Sequence, residues 1–211
     1  MSKIKGSVPI IGVGGATGSG KSSVAHSFRA YNAMIIDLDR LSHDLSRKGR
    51  RLWKAVVLNF GSGFLDQKGE LQRKKLGRVV FKNWKLLFLL NRISHPIFKN
   101  QLKKIILRQP PSAIVVIDGA ILFEAGLIPL VDCLIFVEAP EEQRSSRLSQ
   151  KGLSPDEIRS RLKSQKFISC LRRRSHIIIE NNTTPEDLQK KIDFVCQIPI
   201  EKISHFDHKT G

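Results

Sequence analysis

The octet Gly15-Ala16-Thr17-Gly18-Ser19-Gly20-Lys21-Ser22, followed by Ser23, has the spacing G-x-x-x-x-G-K-[ST]. Residues of these types at this spacing bind phosphate. Glycine lets the backbone curl so that successive N–H groups converge on phosphate oxygens. Lys21 can reach terminal phosphates, and the Ser22 hydroxyl is a ligand for Mg²⁺. The context fits as well, because an apolar run, 8-VPIIGV-13, precedes the octet and a helix-compatible segment, 22–31, follows it. Gly15 through Ser23 are therefore read as a nucleoside-triphosphate site, with Ser22 as the metal ligand.

Binding a triphosphate does not fix what is done with it. A motor or switch places a carboxylate pair at the end of a core strand to activate water. Here 113-AIVVID-118 ends in Asp-Gly. A small-molecule kinase needs a base near the acceptor hydroxyl, an acceptor pocket and mobile cations. Asp37 and Asp39 close the run 33-AMIID-37 and its turn. On a strand-like backbone, side chains two residues apart face the same way. One of the two could accept the acceptor's proton or orient a Mg²⁺-bound water.

The elements that must position these residues are short, β-branched and nearly continuous apolar runs at 8–13, 33–37, 113–118, 133–138 and 176–181. Such runs suit parallel strands covered on both faces. Alternation with helical segments implies βαβ units, with ligands beyond the carboxyl ends of the strands. The expected fold is α/β, a three-layer phosphate-loop fold around a five-stranded parallel sheet. A helix is predicted over 51–61 with Gly61 as its cap, and another over 83–94. Pro96 is predicted to open a third that ends before Pro110-Pro111. Ser154-Pro155 signals the start of a helix running to about Leu171. Trp53 and Trp84 fall at helical spacing and are read as core.

The net charge of +17 is unevenly spread. Residues 46–111 carry 17 Lys/Arg against two Asp/Glu, and residues 141–174 carry ten against four. One domain is expected, with a near-neutral core (about 1–45, 112–140 and 175–211) and two basic helical insertions, 46–111 and 141–174. The three cysteines, Cys133, Cys170 and Cys196, are scattered without a C-x-x-C pair, which suits a reducing, cytoplasmic setting. No apolar stretch is long enough to span a bilayer, and no membrane partner is expected.

Ordered landmarks then carry a resemblance. After the phosphate loop come 37-DLDRLSH-43, 60-FG-61, 69-GELQRKKLGRVVF-81, 95-HP-96, 118-DGAILFEAG-126, 161-RLKSQ-165 and Asn181. In this order they resemble the dephospho-CoA kinase family over nearly the whole chain. The resemblance implies transfer of the γ-phosphoryl group of ATP to the ribose 3′-hydroxyl of dephospho-coenzyme A, the last step of coenzyme A synthesis, with Mg²⁺. It makes 46–111 an acceptor-binding insertion and 141–174 a lid. It implies Asp39 and Lys21 as catalytic groups. It places Asp37, His43, Arg73, His95 and Glu124 in the acceptor region, and Arg144, Arg147 and Lys151 in the lid. Two departures stand out. Ala120 replaces the family's proline, and the lid arginine before Gly-Leu-Ser falls at Gln150-Lys151. The expected partners are ATP and dephospho-CoA, for a monomer or weak oligomer. Another small-molecule nucleoside or nucleotide kinase, and a basic nucleic-acid-binding protein, stay open as alternatives. So does an added, sequence-independent affinity for polyanions.

Overall fold

The computed structural model describes residues 8–119, 122, 126–163, 168–182 and 184–198. They fall into two compact units, one of the described residues between 8 and 38, 109 and 122, and 127 and 198, the other of residues 39–108 with Gly126.

The first unit is built on a parallel sheet of β1 (Ile10–Gly15), β2 (Met34–Asp37), β3 (Val115–Asp118), β4 (Cys133–Glu138) and β5 (Ile177–Glu180). The spatial order is β2-β3-β1-β4-β5, so the strand that feeds the phosphate loop is central. All five predicted strands are present, with ends shifted by up to two residues. β1 and β3 are buried throughout. Ile11 and Val13 point to one face, where Val24, Ala25 and Phe28 follow β1 and Leu188, Ile192 and Val195 come from α9 (Pro185–Gln197). Val24 and Ala25 lie in α1 (Lys21–Ser27). The other face meets α8 (Ile168–Arg173), whose Leu171 side chain lies where a Cβ on Gly14 would be, 2.6 Å away. Helices on both faces make the three layers.

After β4 come α6 (Glu141–Gln150), which reaches the phosphate loop, and α7 (Pro155–Lys163), which packs against α6. Ser154 and Glu157 cap α7 reciprocally: Glu157 N donates to Ser154 Oγ at 3.4 Å, and Ser154 N donates to Glu157 Oε2 at 2.9 Å. The predicted helix to Leu171 corresponds to α7 and α8. Gln165 lies outside the described residues. Burial pushes the Cys133 thiol up to about 12 and, less strongly, that of Cys196 up to about 11, so neither is a thiolate near neutrality.

The second unit is helical: α2 (Leu38–Leu45, shared at its first residue), α3 (Arg51–Phe60), α4 (Arg73–Val80) and α5 (Trp84–Ile106). Gly61 caps α3 at φ 81°, as its position in the sequence suggested. Trp53 is half-buried, and its indole N–H donates to Gly69 O at 2.9 Å. Trp84, by contrast, is exposed. It follows the Asn83 cap and is the first residue of α5, a position that no neighbouring element covers.

Pro96 does not open a helix. It lies inside the 23-residue α5. A proline there costs about 3 kcal/mol. Ser94, Phe98, Leu102 and Ile106 recur every fourth residue and are all buried. Each apolar side chain in that stripe contributes about 1.5–3 kcal/mol of burial, which outweighs the break. Leu102→Ala should therefore destabilise the protein by about 2–5 kcal/mol in urea unfolding. A loss below about 1 kcal/mol would show that the stripe is not what keeps α5 continuous.

Candidate active site

β1 ends at Gly15 and α1 begins at Lys21, so the phosphate octet bridges a central strand and a helix, as its spacing requires. Gly18 and Gly20 have φ of 80° and 88°, conformations glycine adopts without strain. Neither has room for a side chain. A Cβ on Gly18 would sit 2.8 Å from the Arg144 carbonyl oxygen, and one on Gly20 would overlap the Asn181 amide.

The loop is held from its carbonyl side. Arg144 Nε donates to Thr17 O at 3.0 Å. Arg147 Nη1 donates to Ser19 O at 3.1 Å and more weakly to Gly18 O at 3.4 Å, while its Nη2 donates to Asn181 O at 2.9 Å. Asn181 Nδ2 donates to Ser19 O at 2.8 Å. In a trans peptide the C=O and the following N–H point in opposite directions. Fixing the carbonyls of Thr17 and Ser19 on one side thus turns the N–H groups of Gly18 and Gly20 to the other. Ser19 is fully buried, and its hydroxyl has no hydrogen-bond partner among the described residues.

A recess of about 440 Å³ adjoins the loop, lined by Ala16, Phe136, Pro140, Arg144, Arg172 and Asn182 among others. Arg172 grips Glu138 with two bonds, at 2.8 and 3.3 Å. That carboxylate, with Glu180 in register on the next strand, holds the guanidinium charged.

Asp37 ends β2 and pairs in register with Asp118 at the end of β3, which in turn pairs with Val13 of β1. Asp118 is buried, although sequence reading had passed over it as a site residue. The available signal was an acid closing an apolar strand beside the phosphate-loop strand. Asp39 is not on a strand-like turn with Asp37. The extended backbone stops at Asp37, and Asp39 lies in the first turn of α2, so the expected same-side alternation does not apply. Leu38, between them, is buried hard against Gly119.

Of the predicted site residues, the loop, Asp37, Arg144, Arg147 and Lys151 belong to the first unit, and Asp39, His43, Arg73 and His95 to the second. Glu124 lies outside the described residues. Lys151 is exposed at the end of α6. Within the second unit, Arg73 Nη2 donates to Ser42 Oγ of α2 at 3.1 Å, one residue from His43. Gln72, Arg73, Lys74, Lys75 and Arg78 line an open recess of about 560 Å³. Four cations in one recess suit a polyphosphate.

Residues 9–187 match the family described as dephospho-CoA kinase. A dephospho-CoA kinase from Carboxydothermus hydrogenoformans is 34% identical over 193 residues, spanning 90% of this chain and 94% of that protein. One from Arabidopsis thaliana is 32% identical over 189 residues, spanning 88% and 82%. A crystal structure from Thermus thermophilus is 30% identical and superposes with a TM-score of 0.74 over 90% of this chain and 97% of that one. A dephospho-CoA kinase from Campylobacter jejuni shares the fold at 22% identity, with a TM-score of 0.62 over 89% of this chain and 95% of that one. The match begins just before the β1 strand that feeds the clamped phosphate loop and runs into the last helix, and on it this chain belongs to the dephospho-CoA kinase family.

Proposed function

We propose that this chain transfers the γ-phosphoryl group of ATP to the ribose 3′-hydroxyl of dephospho-coenzyme A. The observation that carries the reading is the intact phosphate loop, clamped from behind, in a chain that matches this family from residue 9 to 187. The loop N–H groups and Lys21 hold the triphosphate. The recess beside Ala16 takes the nucleoside end of ATP. The basic recess of the second unit takes the acceptor's pyrophosphate, with Arg73 as its inner cation and His43 and His95 in the same unit.

The acceptor oxygen forms a bond to the γ-phosphorus as the bond to the β-bridging oxygen breaks, and ADP leaves. Asp39 orients the hydroxyl and accepts its proton. Lys21 spreads charge off the transferred group, and Lys151 supplies a compact cation where the family carries an arginine. Most of the acceleration comes from positioning and electrostatics.

The donor set suits Mg²⁺, a hard cation that keeps water and phosphate oxygens and takes few protein ligands. Ser22 offers a hydroxyl at the start of α1, and Asp118 a buried carboxylate at the end of β3. Bound there, the ion would neutralise charge on the β- and γ-phosphates.

Arg144 and Arg147, expected as lid cations, also donate to loop carbonyls, through Arg144 Nε and Arg147 Nη1, and in this way position the loop. Arg147→Met should weaken ATP binding by roughly ten- to a hundred-fold, the loss of one charge-assisted hydrogen bond or so, as read by calorimetry. An unchanged affinity would mean that the loop keeps its shape unaided.

Mass spectrometry of Mg²⁺-ATP reactions, with dephospho-CoA, adenosine and AMP as parallel acceptors, tests the assignment. A gain of one phosphoryl group on dephospho-CoA alone is the expected result, and transfer only to the other two would discard it. Asp39→Asn should lower turnover by roughly 10²–10⁴-fold while ATP still binds. Near-normal turnover would remove Asp39 from the role of base.

A further inference from the structure

We infer that the α4–α5 elbow of the second unit is a docking surface for an anionic lipid bilayer. Eight of the thirteen residues from Phe81 to Ile93 are apolar, yet none of the thirteen is buried. Phe81, Trp84 and Phe88 are 77%, 74% and 63% exposed. Leu86, Leu87, Leu89 and Leu90 are only half covered. From Ser94 onward the same helix buries every fourth residue, so the exposure is confined to its first half. The Asn83 side chain accepts from Lys85 N at 3.0 Å and caps the helix start, which presents Trp84 and Phe88 on a formed turn.

Charge identifies the occupant. Lys82, Lys85 and Arg92 stand among these apolar residues. Between Glu70 and Asp118 the chain has eleven Lys/Arg and no Asp/Glu. A second copy of the chain would bring like charge against like charge, since residues 39–108 hold 18 basic and four acidic residues. A single-stranded nucleic acid would use the aromatic rings for stacking but gives the four leucines nothing to do. An anionic bilayer uses both sets. Trp, Phe and Leu enter the boundary between headgroups and acyl chains, and lysines beside them meet anionic headgroups. The attachment is interfacial: among the described residues no helix is long and apolar enough to cross a membrane.

The test is flotation of the full-length protein with vesicles of phosphatidylcholine alone and of phosphatidylcholine mixed with phosphatidylglycerol. Trp84 emission is followed in a Trp53→Phe background. Binding to the anionic vesicles only, with a blue shift of Trp84, is expected. The double variants Trp84→Ser/Phe88→Ser and Lys82→Glu/Lys85→Glu should each weaken it by about ten-fold or more. Both should keep wild-type melting temperatures and vesicle-free phosphorylation of dephospho-CoA, so this result is independent of the catalytic assignment. Absence of flotation, or flotation that survives both double variants, would overturn the inference. So would a concentration-dependent dimer lost in Trp84→Ser/Phe88→Ser. Binding of a polyuridine oligonucleotide without vesicle binding would instead assign the surface to nucleic acid.

Discussion

Three consecutive carbonyls that belong to no helix or sheet need partners, and the phosphate site depends on who supplies them. A backbone oxygen left without one costs about as much as a lost hydrogen bond, and more where water is excluded. Arg144, Arg147 and Asn181 take the carbonyls of Thr17, Gly18 and Ser19. These partners come from α6 and from the end of β5. They can reach the loop because the sheet orders its strands β1-β4-β5, and the connections after β4 and β5 emerge beside it. The glycines complete the arrangement: side chains at Gly18 or Gly20 would push out the groups that hold the loop.

Charge serves structure and recess within each unit. In the sheet unit Arg144 and Arg147 donate to loop carbonyls and Arg172 grips Glu138. In the helical unit four cations surround a single recess, and two of them also hold the fold: Arg73 donates to Ser42 Oγ and Lys75 to Gly63 O. Composition counts all of these alike, whatever they are bonded to.

What was legible in the sequence follows from how local each cause is. The octet from Gly15 to Ser22 could be read because glycine placement and phosphate geometry act within eight residues. The strands could be read because burial on both faces demands unbroken apolar runs. Pro96 was misread because local propensity points to a helix start, while the stripe of Phe98, Leu102 and Ile106 acts through packing with distant elements. Trp84 was misread because spacing tells which residues share a face but not whether anything covers it. The roles of Arg147 and Asn181 lay beyond any local pattern, since they meet the loop across more than a hundred residues of chain. Asp118 needed the register of β3 with β1 and β2 before it stood out from other strand ends.

Ser19 and Asn181 are 162 residues apart, and their bond has a kinetic meaning. The glycine loop leaves the ribosome first among the site's parts. Its carbonyl partners follow only when α6 and β5 have been made and docked. Non-local closure of this kind is slow, because the intervening chain must be ordered before the contact rewards it. The contacts that hold the phosphate loop are thus complete only once the sheet's β5 edge is in place. Until then the nascent chain carries the loop's residues without the partners that fix its carbonyls.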